Sequence, residues 1–448
     1  MNVLREHSDI ETTFPEYFTC NKEKDFVVSK YTHFQQASVD SIVAFSFVTD
    51  AIIILNKQEY KQVRTMTFSD ASLFDAMRRN GFFVKKETDE YSLIAQYRHK
   101  ISARIPKTVK FVILPTTNCN AQCKYCIGMN NRQLTMTAAT IEKTVEYIVA
   151  VASNYENIKF NWYGGEPLLC HATITHICEE IKCRLLNINF SSVITTNIAC
   201  FNDSLLQTAI DSWHIRKVNV TIDGIEEEHN SRKNYVNHTL NGYKHTMEYI
   251  GKLIEHNISV FCRFNIDKNN VNQLAAVIND IRPFLKSQFF YFFVSPLRGD
   301  NTHIEFYKTK EYNALFYDTG VVLNENGVHN IIDSFVPKAL QGFCLAKSEH
   351  SFVIGPNGNL FRCNLDDLID ENSTGSVYSG LNKNDVYQQF VGLKLDKKCV
   401  DCKFLPICHG GCPIEAKFAS DSNCRCTKFR FKLEATAKLL ARYYMSVN

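Results

Sequence analysis

Val109-Lys110-Phe111-Val112-Ile113-Leu114-Pro115-Thr116-Thr117-Asn118-Cys119-Asn120-Ala121-Gln122-Cys123-Lys124-Tyr125-Cys126 sets the reading of the whole chain. It opens as a short apolar run, as expected of a strand buried in a parallel sheet. At Pro115 it breaks into a polar loop carrying three cysteines. From Thr108 onward strand-like and helix-like segments alternate, which argues for a parallel sheet with crossover helices. The expected strands are Val109 to Leu114, Ile158 to Trp162, Ser192 to Thr195, Lys217 to Ile222, Ser259 to Phe264 and Phe289 to Val294. Helices are expected from near Thr137, over Thr173 to Leu186, Leu205 to Trp213, and Gly242 to Glu255. Six such units predict an α/β fold, a partial (β/α)6 TIM-like barrel spanning residues 105–300.

Before that barrel, residues 1–104 read as an α+β module. Ile42 to Val48 and Ala51 to Leu55 are strand-like, with Thr49-Asp50 as the turn. Asn56 can cap a helix with Glu59 three residues on. Ser69 can cap a second helix that ends near Gly81, and Phe82-Phe83-Val84 returns as a strand. This order predicts a winged-helix-like module. After a bridging region, 301–343, the tail 344–448 shows helical periodicity only over Phe431 to Tyr444 and otherwise reads as loop-rich.

Composition excludes several classes. The chain has 448 residues, 45% hydrophobic and 22% charged, which is ordinary for a globular protein. A net charge of +3 gives no electrostatic case for nucleic-acid binding. The most apolar window, Ser41 to Leu55, is interrupted by Asp50, so no membrane span is expected. Met1 to Phe14 carries four charged residues and no apolar core, unlike a signal peptide, so the expected location is the cytoplasm. Against that background 17 cysteines stand out. Eight lie between Cys344 and Asn448, and six of those between Cys399 and Cys426. Reduced thiols clustered at short spacing point to metal rather than to disulfides.

Cys119-x3-Cys123-x2-Cys126 can supply three thiolates to three irons of a [4Fe–4S] cluster, leaving the fourth iron open to a small chelating ligand. Each later strand also ends in residues suited to a ligand. Gly164-Gly165-Glu166-Pro167 follows the second, with glycines that permit close backbone approach. Thr195-Thr196-Asn197 follows the third, Asp223-Gly224 the fourth, and Arg263 and Asn265 end the fifth. In barrels of this kind the C-terminal strand ends form the active face.

The cysteine triplet, with aromatic Tyr125 before its last member, resembles the signature of the radical S-adenosylmethionine (SAM) superfamily. That resemblance implies a cluster-bound SAM that is reductively cleaved to a 5′-deoxyadenosyl radical. It implies SAM contacts from Tyr125, Gly164, Gly165, Glu166, Pro167, Thr195, Thr196, Asn197, Arg263 and Asn265. Thr221-Ile222-Asp223-Gly224 with His229 and Arg232 resembles a segment of the peptide-modifying branch. No residue in the sequence identifies a catalytic acid or base.

The tail pattern is Cys344-x13-Gly358-x4-Cys363, then Cys399-x2-Cys402-x5-Cys408-x3-Cys412, then Cys424 and Cys426. These gaps are too short for a zinc ribbon. The pattern resembles the SPASM domain, which implies two auxiliary [4Fe–4S] clusters and three in all. The family arrangement implies Cys344, Cys363 and Cys412 on one, and Cys399, Cys402, Cys408 and a late cysteine, Cys426 or Cys424, on the other. Cys20, Cys170, Cys178, Cys183, Cys200 and Cys262 read as core or incidental thiols.

The N-terminal order resembles the recognition element of maturases of ribosomally made peptides, which bind a leader by strand addition. The reading is therefore a peptide maturase that installs a thioether or carbon–carbon crosslink on a precursor peptide, served by a donor such as flavodoxin or ferredoxin. The alternatives are an anaerobic sulfatase maturase making formylglycine and a non-catalytic iron–sulfur electron carrier.

Overall fold

The computed structural model describes residues 1–6, 25–103, 106–123, 125–126, 133–297, 310–328, 336, 344–365, 368–391, 395–414 and 428–444. The chain divides into two compact units. One comprises Met1–Arg104, Asn301–Phe343 and Lys394–Asn448; the other comprises Ile105–Asp300 and Cys344–Leu393. Among the described residues no helix is long and apolar enough to cross a membrane.

In the first unit β1 (Asn2–Arg5), β3 (Thr32–Gln36), β4 (Ser41–Ser46) and β5 (Ile52–Asn56) form an antiparallel sheet in the order β1-β5-β4-β3. A separate ribbon pairs β2 (Phe26–Val28) with β6 (Phe83–Lys85). Helix α1 (Lys57–Thr65) begins with the expected capping box: Glu59 N–H donates to Asn56 and Asn56 N–H donates to Glu59, each at 2.8 Å. Helix α2 (Ala71–Arg79) departs from expectation by one residue. Its cap is Asp70, not Ser69, because the Ser69 amide and hydroxyl are both committed to Gln62 Oε1. Helix α3 (Glu90–Ala103) follows.

The sheet has an apolar cluster on each face. Ala44, Ile53 and Leu55 pack with Leu73, Phe74 and Met77 of α2. Val43, Phe45, Ile52 and Ile54 pack with Phe404, Leu405, Phe429, Leu433, Ala437 and Leu440 near the C-terminus. The C-terminal helix Leu433–Tyr444 thus belongs to the same core as the N-terminal strands.

In the second unit all six expected strands are present: β7 (Thr108–Ile113), β8 (Asn157–Trp162), β9 (Asn189–Thr195), β10 (Ile215–Ile222), β11 (Ser259–Ile266) and β12 (Phe290–Pro296). They run parallel in the order β12-β11-β10-β9-β8-β7. Beyond β7 the sheet continues through β13 (Ser351–Ile354), parallel to β7, and β14 (Leu360–Phe361), antiparallel to β13. The sequence pattern does not mark β13, because four residues are too few for a periodicity to show. Crossovers are α4 (Ala138–Ala152), capped by Thr137, α5 (His171–Arg184), α6 (Asp203–Asp211), α7 (Glu226–Lys233), α8 (Gly242–Glu255) and α9 (Leu274–Ile281). Ile158, Phe160 and Trp162 alternate inward on β8, as do Val218, Val220 and Ile222 on β10. Between them Asn161, Asn219 and Thr221 are half-buried, giving the sheet a polar second face. Parallel order brings every βα loop to one end.

Candidate active site

At that end the cysteine loop is built against its neighbours by backbone. Gly165 N–H donates to Thr116 O at 3.1 Å and Glu166 N–H to Asn118 O at 2.8 Å. Both glycines are obligatory here. Gly164 has φ +132°, and a Cβ on it would lie 2.2 Å from Thr116 O; a Cβ on Gly165 would lie 2.2 Å from Asn118 O. On the other side the loop pairs with the segment after α7. Ala121 bridges Tyr235, Gln122 N–H donates to Lys233 O at 3.0 Å, and Val236 N–H donates to Asn120 O at 2.9 Å.

Glu166 is 1% exposed. Its carboxylate accepts from Thr196 Oγ1 at 2.7 Å, Asn197 N–H at 2.8 Å and Leu168 N–H at 3.1 Å. Burial pushes its pKa up to about 7, against the pull of these hydrogen bonds. Asn197 Nδ2 donates to Asn120 Oδ1 at 2.7 Å and points at Cys119 Sγ at 3.8 Å. The structure therefore joins Glu166, Thr196 and Asn197 to the first cysteine. Thr195 faces the neighbouring strand and accepts from Asn219 Nδ2 at 3.1 Å. Pro167 is buried and starts the short turn Pro167–Cys170, which Glu166 caps.

A second network lies under the loop. Tyr125 OH donates to Asp223 Oδ2 at 2.5 Å. Lys233 Nζ donates to Tyr125 OH at 3.0 Å and to Thr221 Oγ1 at 2.5 Å, and lies 3.1 Å from the Asp223 carboxylate. Asn265 Nδ2 donates to Asp223 Oδ1 at 2.7 Å, and Asp223 N–H donates to His229 Nδ1. Burial works against both charges of the Asp223–Lys233 pair. Their mutual attraction prevails, holding the carboxyl below its usual range and the ammonium well above its own. Burial, then the Lys233 charge, presses His229 down to about 3, so it is neutral. Tyr125 and Asn265, expected as SAM contacts, are thus both bonded to Asp223. Arg263 is half-buried on β11, in register with Thr221. Lys233 was not legible in sequence: it sits in a very polar helix where a solvated lysine is the ordinary expectation.

Cys119 and Cys126 are exposed and Cys123 is partly buried. Loss of hydration beside the loop pushes the Cys119 thiol up to about 11, although its side chain keeps an exposed surface, and the nearby Glu166 carboxyl and then the other two thiols add to the rise. Three such donors on one loop, with a carboxylate cradle beside them, fit a [4Fe–4S] cluster and a chelating ligand; binding iron would displace their protons. Among the described residues no three side chains of the His, Cys, Asp and Glu types close on one point.

In the same unit Cys344 precedes the turn Leu345–Lys347, and Cys363 follows β14. Between them Arg362, 2% exposed, donates to Ser351 O at 2.9 Å, to Ala346 O at 3.2 Å and to Ser348 O, which fixes the two flanks together. In the other unit Cys399, Cys402 and Cys408 are partly buried against the apolar core. Cys412 lies in that unit, four residues after Cys408. Cys424 and Cys426 lie outside the described residues. Of the thiols read as incidental, Cys178 and Cys262 are buried, Cys170 and Cys200 are half-buried, Cys183 is exposed, and Cys20 is outside the described residues. Cys200 accepts from Asn120 Nδ2 at 3.2 Å, which places it beside the loop.

Residues 113–281 match the Radical SAM superfamily. A cysteine-type anaerobic sulfatase-maturating enzyme of Clostridium novyi is 25% identical over 349 residues, 68% of this chain and 88% of its own length. The radical SAM cyclopropyl synthase TigE of Paramaledivibacter caminithermalis is 23% identical over 52% of this chain and 56% of its own. Among solved structures, anSMEcpe with bound AdoMet and Cp18Cys peptide aligns with 76% of this chain and 98% of its own, with TM-score 0.57 and 17% identity. Streptococcus suis SuiB bound to precursor peptide SuiA aligns with 90% of this chain and 100% of its own, with TM-score 0.50 and 13% identity. The parallel sheet, the cysteine loop at its C-terminal end and the sequence match together identify residues 113–281 as a radical SAM domain.

Proposed function

We propose that the chain is a radical SAM peptide maturase that installs a thioether or carbon–carbon crosslink in a ribosomally made precursor. The observation that carries a SAM-cleaving reading is the Glu166 cradle. A buried carboxylate is held by Thr196 and Asn197, and Asn197 also faces Cys119. An electron carrier has no use for such a cradle. Cys119, Cys123 and Cys126 would hold the cluster, and the Gly164–Pro167 turn with Thr196 and Asn197 would receive SAM. When bound and reduced, this pair supplies a radical able to abstract hydrogen from an unactivated C–H bond. The chain's own part is to orient: the Gly164–Glu166 backbone fixes the loop from one side and Lys233–Val236 from the other. The tail cysteines would hold two auxiliary clusters, and the N-terminal sheet would receive the leader. Peptide-bound SuiB, which aligns with nine-tenths of this chain, supports a peptide substrate.

A second reading, a sulfatase maturase, is favoured by the relative from Clostridium novyi. One experiment separates the readings. The reconstituted, reduced protein is incubated with SAM and either a precursor peptide encoded beside its gene or a sulfatase peptide bearing the target cysteine or serine. Production of 5′-deoxyadenosine with loss of two hydrogens from the precursor supports crosslinking. An aldehyde on the sulfatase peptide alone overturns it in favour of formylglycine formation. No 5′-deoxyadenosine under any condition overturns both.

A further inference from the structure

The cysteine segment 399–408 is laid on the N-terminal module of its own unit. Lys30 Nζ donates to Val400 O at 3.3 Å, and Lys403 bonds the His33 ring. Cys399, Cys402 and Cys408 pack, partly buried, against the core that contains Phe404, Leu405 and Phe429. Neutral thiols are at home in such a place. A four-thiolate iron–sulfur centre is not. It is anionic, it gains one more negative charge on reduction, and an apolar wall cannot solvate it. Hydrogen bonds to its sulfurs and nearby cations have to supply what water does not.

Two side chains of the N-terminal module answer that need. Tyr31, in the turn between β2 and β3, is fully buried in the same core. Its hydroxyl has no hydrogen-bond partner among the described residues, whereas a buried phenol ordinarily finds one. Burial first, then Glu90, Asp89, Tyr91 and Cys402, raise its pKa well above the usual range, so it stays a neutral O–H donor within electrostatic reach of Cys402. Arg98 is half-buried, about two turns along α3. Burial disfavours its charge, while Tyr91, Cys399 and Cys408 lie close enough to favour it. The turn and the helix that carry these two residues are fastened together by the buried Glu90 carboxylate, which accepts from Ser29 Oγ and, at 2.9 Å, from Lys30 N–H. Lys403 also lies near Cys402, but its ammonium is engaged with His33.

We propose that Tyr31 and Arg98 are positioning residues of the iron–sulfur centre held by Cys399, Cys402 and Cys408: the Tyr31 hydroxyl donates to a sulfur of the centre, Arg98 offsets its negative charge, and the N-terminal module thereby sets its reduction potential. The proposal rests on the reading above that the tail cysteines hold auxiliary clusters. It gives the module a task at the metal centre that is separate from any peptide it receives.

The test uses the full chain with Cys119, Cys123 and Cys126 replaced by Ala and reconstituted with iron and sulfide, so that only tail centres give a signal. The signal of interest is the one lost on Cys399→Ala with Cys402→Ala. Tyr31→Phe removes one oxygen and leaves the ring in the core. Arg98→Met removes the charge, and Arg98→Lys keeps it. In redox titrations followed by electron paramagnetic resonance, Tyr31→Phe and Arg98→Met should each make this centre harder to reduce. The expected change is on the order of ten-fold in the reduction equilibrium, or about 59 mV for one electron. Arg98→Lys should stay nearer the parent than Arg98→Met. Iron lost from Arg98→Met and restored in Arg98→Lys would support the same role. An unmoved potential in both Tyr31→Phe and Arg98→Met, at the parent's iron content, would overturn the proposal and leave the reading of the tail intact. So would iron loss that Arg98→Lys does not restore, if Tyr31→Phe leaves the potential unmoved. A parent that binds no iron in its tail would overturn that reading and the proposal with it.

Discussion

Replacing Lys233 with Met tests whether the buried pair under the cysteine loop holds that end of the sheet together. The Lys233 side chain is 4% exposed and the Asp223 side chain 0%, with 3.1 Å between ammonium and carboxylate. At an effective dielectric of about 20, that separation corresponds to about 5 kcal/mol of attraction. Methionine keeps most of the volume and removes the charge, leaving the buried Asp223 carboxylate hydrogen-bonded to neutral Tyr125 and Asn265 with no cation beside it to balance its charge. Breaking a buried pair from one side costs about 3–5 kcal/mol. The readout is well defined, because the chain's two tryptophans, Trp162 and Trp213, are both fully buried in the second unit. Urea unfolding followed by their fluorescence therefore reports that unit. The expected result for Lys233→Met is a loss of about 3–5 kcal/mol. Asp223→Asn should lose less than that, since the lysine it leaves can release its proton. The double variant should recover part of the loss, giving a coupling of about 1–3 kcal/mol. A Lys233→Met protein within about 1 kcal/mol of wild type would refute the assigned role.

Replacing Cys119, Cys123 and Cys126 together with Ala should abolish 5′-deoxyadenosine formation and lower bound iron by one cluster's worth, as measured by iron assay and Mössbauer spectroscopy. Gly165→Ala puts a Cβ 2.2 Å from Asn118 O, so it should shift the cysteine loop and reduce SAM cleavage at least ten-fold while the tryptophan-reported fold survives. Glu166, with its pKa raised to about 7 in the fold, binds its proton more tightly folded than unfolded. Stability of the second unit should thus fall as pH rises from about 4.5 to about 7 and then level off. Glu166→Gln should flatten that slope in urea titrations, and an unchanged slope would show that the carboxyl does not titrate there. The same substitution should raise the KM for SAM more than it lowers kcat.

The second unit was legible because its signals are local. Six strands alternate with helices at short range, and each strand end carries its own chemistry. Gly242–Glu255 and the Asn56–Glu59 capping box appear where the residues place them, since caps and periodicity act within one or two turns. The Asp70 cap was missed by one residue because Gln62, in the preceding helix, claims Ser69. Strand β13 goes unmarked for a different reason: its four residues are too few to show a periodicity, and its partner β7 lies far away in sequence. At the site, the cysteines and the Gly164–Pro167 turn are readable as spacing. The commitment of Tyr125 and Asn265 to Asp223 is not, because a polar side chain serves a ligand or a buried network equally well in one dimension.

The least legible feature is the sharing of one core by the two ends of the chain. Phe45 and Phe47 on the N-terminal side pack edge-on against Phe429, and the Phe47 ring lies tilted against Phe404 with centroids 5.1 Å apart. No local pattern announces a contact across more than 350 residues. Its consequence is practical. Deleting residues 1–98 to probe peptide binding would strip Val43, Phe45, Ile52 and Ile54 from the cluster that buries Phe404, Leu433 and Leu440. Burial of one such side chain contributes about 1.5–3 kcal/mol, so a deletion of that size removes more than the margin of an ordinary domain. Cys399, Cys402 and Cys408 pack against the same cluster and would lose their support with it. Loss of activity after truncation would then report a collapsed unit, not an absent recognition element.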